Sequence, residues 1–166
     1  GQEVVLLRPA PVEPPVPRHF RVVFEDEALV VIDKPAGLPV HATARYHHNT
    51  LAAVLREHYA PEPPPIMAHR LDRETSGLLL LGRTSATSAA LKRLFRERRV
   101  QKRYLALVHG RPDDEGLIDL PLGRDLVSGI RVRMAVVPGG LPSRTRYRTL
   151  GRRGAFSLVE AFPETG

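Results

Sequence analysis

Four consecutive leucines, Leu78 to Leu81, stand between Gly77 and Gly82, and no other stretch constrains the fold as tightly. A run that short and apolar, stopped by glycine at both ends, predicts a buried β-strand rather than a helix. The residues just before it are of the opposite kind. His69, Arg70, Leu71, Asp72, Arg73, Glu74, Thr75 and Ser76 set a carboxylate among guanidinium groups. They lie where the chain emerges from the core, and a loop held by a rigid strand is where a scaffold presents chemistry. By itself an aspartate between two arginines is an ordinary solvated ion pair.

Two further segments have the same character. Ala28 to Ile32 predicts a strand that Pro35 stops, with Gly37 and Pro39 shaping a fixed loop before His41. Lys102-Arg103-Tyr104-Leu105-Ala106-Leu107-Val108-His109-Gly110 overlaps a strand predicted at Val100–Val108, in which an isolated tyrosine is more often a core ring with its hydroxyl at the surface.

Taken together and in order, these segments resemble the RluA-type pseudouridine synthases. The family's hallmark is H-R-L-D followed by T-S-G and leucines, matched by His69–Asp72 and Thr75–Leu81. The stretch Phe24–His41 is similar to its Y-E-D…V-V-N-K-P-x-G-L-P-V-H pattern, with Phe24 for Tyr and Asp33 for Asn. Lys102–Gly110 is similar to its K-x-Y-L-A-L-V-x-G strand. The resemblance runs from about Phe20 to Gly166 and implies isomerisation of uridine to pseudouridine in ribosomal or transfer RNA. It implies Asp72 as the catalytic carboxylate, Tyr104 as the ring that packs on the base, and Arg70 as the side chain that holds the flipped-out nucleotide. Arg70 and Asp72, two residues apart, project to the same side if the segment is extended.

The reaction has no redox step, so a site without cofactor or metal is chemically sufficient. A carboxylate acts at the sugar either by trapping C1′ or by removing a sugar proton, and the sequence leaves both open. Either role needs Asp72 ionised, which inside a protein requires cations or donors nearby. The chain stops at Pro163-Glu164-Thr165-Gly166, similar to the start of the family motif T-G-R-x-H-Q-I-R. The resemblance thus implies a catalytic domain truncated at the C-terminus, without the arginine that pairs with the catalytic aspartate. Two other classes stay open: a non-catalytic RNA-binding module keeping the fold, and a hydrolase pairing Asp72 with His41 or His69, although no G-x-S-x-G elbow is present.

Charge supports a polyanionic substrate. The chain of 166 residues has a net charge of +7, and residues 61–111, with 11 basic and 4 acidic side chains, account for all of that excess. Basic charge gathered around one site implies nucleic acid. Arg73 belongs to that set, and Lys92, Arg96 and Arg99 lie along one stripe of a predicted helix, as either an RNA-backbone contact or a solvated face. Arg144, Arg146 and Arg148 alternate along a predicted strand, for which a solvated face is the simpler account. Zero cysteines exclude disulfides and thiolate chemistry. The histidines lack metal-ligand spacing, and no apolar run approaches the ~18 residues of a membrane span. A cytoplasmic protein with no obligate protein partner is expected.

The organisation reads as α/β (α+β): a mixed, mainly antiparallel sheet with peripheral helices, the architecture the resemblance also implies. Residues 1–18, rich in proline after Val4-Val5-Leu6-Leu7, predict a strand end and an extended linker, which the resemblance makes the possible end of an S4-type RNA-binding domain. Residues 19–166 form the expected catalytic domain. Strands are predicted at Phe20–Phe24, Val100–Val108, Leu117–Leu120, Ile130–Val137, Ser143–Leu150 and Ala155–Ala161, with a hairpin turn at Arg152-Arg153-Gly154. Asn49-Thr50 cap one helix with Leu51, Val54 and Leu55 inward, and Pro61 to Pro65 end it. Thr84 or Ser85 caps a second, with Ala90, Leu91, Leu94 and Phe95 inward.

Overall fold

The computed structural model describes residues 12–43, 45–125, 127 and 133–165. Its elements run β1 (Arg21–Glu25), β2 (Leu29–Lys34), α1 (Leu51–Tyr59), β3 (Ile66–Met67), β4 (Gly77–Gly82), α2 (Ser85–Arg96), β5 (Tyr104–His109), β6 (Glu115–Asp119), β7 (Leu122–Arg124), β8 (Met134–Val136), β9 (Arg144–Arg153) and β10 (Phe156–Pro163). They form two units, Gly1–Arg96 and Glu97–Gly166. Every strand pairing among the described residues is antiparallel. The α+β architecture with two helices is as expected. The predicted strand at Val4–Leu7 lies outside the described residues, as does the first part of Ile130–Val137.

In the first unit the sheet order is β1-β2-β4-β3. Asp26 makes the β1–β2 turn, its Oδ1 accepting from the amides of Ala28 and Leu29 at 2.8 and 2.7 Å. Strand β2 alternates, burying Val30, Ile32 and Lys34. Val30 and Ile32 lie opposite Leu81 and Leu79 of β4, which are fully buried. The leucine run is therefore a strand buried mainly on one face, since Leu78 is 55% exposed. Helix α2 packs on β4 at Gly82, where a Cβ would stand 2.4 Å from the Ser88 amide nitrogen. That approach makes Ser88 the buried position of α2 and turns Ala90 outward, contrary to the predicted inward set; Leu91, Leu94 and Phe95 stay half-buried.

Helix α1 is capped by Thr50, whose hydroxyl accepts from Ala53 N at 3.3 Å. Its first amides, on Leu51 and Ala52, donate to the carbonyls of Pro39 and Val40 at 2.8 and 3.2 Å. The helix thereby grips the loop that follows β2. The described residues before β1, 12–20, are fastened to the first unit: the Glu13 carboxylate accepts from the amides of His47, His48 and Asn49, and Arg18 pairs with Glu57 at 2.5 Å.

In the second unit the order is β5-β10-β9-β6, beside a two-stranded ribbon of β7 and β8. The β9–β10 hairpin turns at Gly154, whose φ of +58° favours glycine. As predicted, Arg144, Arg146 and Arg148 share the exposed face of β9 while Thr145, Tyr147 and Thr149 are half-buried. These arginines are ion-paired, the first two with Glu164 and the third with Glu160.

Candidate active site

The site begins with a lysine at the end of a strand. Continuing the alternation of Val30 and Ile32, the Lys34 side chain points inward and is fully buried. Its Nζ donates to three carbonyls, those of Pro35, Leu38 and Arg73, at 2.8, 2.9 and 3.1 Å. An ammonium has three protons, so all are used. Gly37, with φ +85°, also donates to the Arg73 carbonyl, at 2.8 Å. The loop after β2 and the Asp72–Arg73 turn are thus stapled together across 39 residues of sequence. Burial pushes the Lys34 ammonium down from its ordinary value, and the charges of Glu74 and Asp72 partly restore it.

On this brace the turn is closed by Thr75 N donating to the Asp72 carbonyl at 3.1 Å. Leu71 is buried while Arg70 and Asp72 are exposed, the alternation expected of an extended segment. Arg73 turns back toward the protein. Its Nη1 donates to the Tyr46 hydroxyl and its Nε to Glu74, both at 2.6 Å, with the guanidinium 5.6 Å from the Tyr46 ring centroid. Arg73 therefore has a structural engagement that the sequence did not suggest.

His69 is half-buried against Phe95, ring centroids 4.4 Å apart, and its Nε2 accepts from Leu80 N at 3.2 Å. Burial pushes this imidazole down from its ordinary value, and its Nε2 is occupied by the Leu80 amide. Among the described residues no three of His, Asp and Glu gather as a metal ion would require.

The remaining predicted residues lie on other elements. Lys92 is exposed on α2 and Arg96 is its last residue. Arg98 takes the left-handed conformation, φ 56°, which ends the helix, so Arg99 lies off the predicted stripe and 3.8 Å from Glu97. Tyr104, in the second unit, opens β5 half-buried, opposite Ala161 of β10. Its neighbours are tied down: Lys102 donates to the Thr165 carbonyl at 2.9 Å, and Arg103 pairs with buried Glu160. Lys34 and Tyr46 are the residues sequence reasoning passed over. The period-2 pattern of β2 does point Lys34 inward, whereas nothing local marks Tyr46.

Residues 28–166 match the family model described as RNA pseudouridylate synthase. The chain belongs to that family. Among curated relatives, ribosomal large subunit pseudouridine synthase D of Nitrosomonas europaea is 42% identical over 151 residues, covering 89% of this chain and 43% of the relative. Pseudouridylate synthase RPUSD2 of Homo sapiens is 38% identical over 158 residues, covering 93% of this chain and 28% of the relative. The solved structure of Human RNA Pseudouridylate Synthase Domain Containing 1 superposes with a TM-score of 0.75 at 27% identity, over 93% of this chain and 63% of that one. For Human RNA Pseudouridylate Synthase Domain Containing 4 the TM-score is 0.69 at 29% identity, over 87% of this chain and 59% of that one. The chain spans less than half the length of the first two relatives.

Proposed function

We propose that this chain is the catalytic domain, over residues 19–166, of an enzyme that isomerises specific uridines to pseudouridine in structured ribosomal or transfer RNA. Residues 1–18 serve as a linker or as the end of an S4-type RNA-binding domain, and the enzyme works in the cytoplasm. The reaction breaks the N1–C1′ bond, turns the uracil, forms a C5–C1′ bond, and moves the C5 proton so that N1 ends protonated. Atoms and electrons balance without a second substrate.

The observation that carries this reading is the presentation of Asp72: an exposed carboxylate on a turn braced from beneath by a buried lysine. Chemistry at a sugar carbon needs an anion held in one place, because a group already oriented does not spend free energy reorganising in the transition state. Arg70, on the same exposed side, is suited to hold the nucleotide taken out of the stack. Tyr104 packs on the base and assists proton removal from C5. Arg73, Lys92, Arg96 and Arg99 contribute positive charge along the RNA path.

The test is to map pseudouridine in unmodified ribosomal and transfer RNA transcripts incubated with the purified full-length protein and with Asp72→Asn. Conversion of defined uridines by the first and not the second is expected. Turnover retained by Asp72→Asn would remove the carboxylate from the mechanism.

A further inference from the structure

A groove of about 490 Å³ opens in the first unit, within the ~300–1,000 Å³ typical of small-ligand sites. Its rim carries His41, Arg56, His69, Arg70 and Lys92, and its apolar wall is Leu55 of α1 with the run Pro64–Ala68. Asp72 does not line it, but Arg70 does. The groove therefore lies next to the candidate catalytic turn without containing it.

Its charge is uncompensated. Elsewhere in the same unit Arg18, Arg21, Arg73 and Arg83 each hold a carboxylate, of Glu57, Asp33, Glu74 and Glu25. Among the described residues, Arg56, Arg70 and Lys92 hold none. Three unpaired cations converging on one concave surface repel one another, and an anion relieves that repulsion. Ile66, in the wall, is 40% exposed, so the groove offers apolar surface beneath a cationic rim. A nucleotide has that division, with a flat apolar base on one side and a phosphate on the other.

We propose that this groove binds one RNA nucleotide flanking the target uridine, with its base or ribose against Pro64–Met67 and its phosphate held by Arg56 and Lys92. Arg70 then stands between the flanking nucleotide and the one turned out toward Asp72. The proposal rests on the reading that the substrate is RNA, and it adds Arg56, outside the basic segment 61–111, to the binding surface. An acidic peptide would satisfy the cations but leave the apolar wall without a planar partner.

The test measures binding of a short RNA containing the modified uridine to the full-length protein across a salt series. Wild type is compared with Arg56→Ala, Arg56→Lys, Lys92→Ala and the control Arg21→Ala. Arg56→Ala and Lys92→Ala should each weaken binding roughly tenfold at about 0.1 M salt and lower the salt slope by about 0.7–1, the share of one phosphate. Arg56→Lys should keep the slope, and thermal melting shows whether each variant is folded. If both alanine variants bind like Arg21→Ala, the groove proposal falls, whatever the protein does to uridine. If binding depends on the groove but no uridine is converted, the groove stands and the synthase reading falls. Competition by polyglutamate as effective as that by RNA would overturn the assignment of a nucleotide.

Discussion

Thirteen hydrophobic side chains of the first unit are buried among the described residues, against Val159 alone in the second, where Leu105, Leu107 and Leu141 are 63%, 70% and 74% exposed. Among the described residues each unit also buries one charge, and the two solutions differ. The Lys34 ammonium is solvated from inside by three backbone carbonyls that belong to two loops. Glu160 is held by the side chains of Arg103 and Arg148, which themselves reach water at 66% and 61% exposure. The first arrangement cannot change without moving the backbone, so it serves to fix a turn. The second can exchange partners with solvent and ions, so its strength depends on salt and pH. Rigidity is thus concentrated under Asp72, and the second unit relies on β-ladders and surface charge.

The largest effect that could break this contrast is on chemistry. Asp72→Asn should reduce pseudouridine formation by at least about 10³-fold while leaving amide exchange unchanged in both units. Increased exchange near Asp72 would mean that its charge supports the turn as well as the reaction.

Lys34→Met should come next. It leaves the carbonyls of Pro35 and Leu38 without their buried donor and should destabilise the first unit by roughly 2–4 kcal/mol. Hydrogen exchange resolved by unit would show the loss confined to the first, and equal loss in both would dissolve the distinction. The pH dependence has a definite sign. Because the folded-state value of Lys34 is depressed, the unfolded chain binds the extra proton between that value and about 10.5. The lysine's contribution should therefore grow as pH rises through that window, a slope Lys34→Met lacks.

Gly82→Ala should cost about 1–3 kcal/mol, since the new Cβ meets the backbone of Ser88 and α2 has to move off β4. An unchanged melting profile would show that this helix contact is looser than the geometry implies.

The smallest effect should be that of Glu160→Gln. Hydrogen bonding from Arg148, then from Arg103, outweighs burial and holds the Glu160 carboxyl below its ordinary value of 4.5. Its stabilisation is complete above about pH 4.5 and disappears as pH falls through the depressed folded value. Wild type should lose protection in the second unit over that acid window, and Glu160→Gln should show a weaker acid dependence and a lower starting stability. An identical acid profile for the two proteins would move the second unit's support away from this cluster.

Much of this molecule was legible in its sequence because the signals are local. Strand β4 lies between its two glycines as expected, Thr50 caps α1, Gly154 turns the last hairpin, and the arginines of β9 alternate, since period and capping depend only on near neighbours. The loop that carries Asp72 was legible for the same reason: an apolar strand meeting a charged segment marks where chain leaves core. Tertiary structure decided the rest. Whether Leu78 or Leu79 is covered depends on where a helix lies, and the choice of Ser88 over Ala90 follows from the missing side chain of Gly82. Arg73 finds Tyr46 across 27 residues, and Lys34 reaches the Arg73 carbonyl across 39. A residue's own neighbours set its backbone conformation, but a buried charge takes the partners that the packed chain brings to it. Such pairings leave no periodic trace in the sequence.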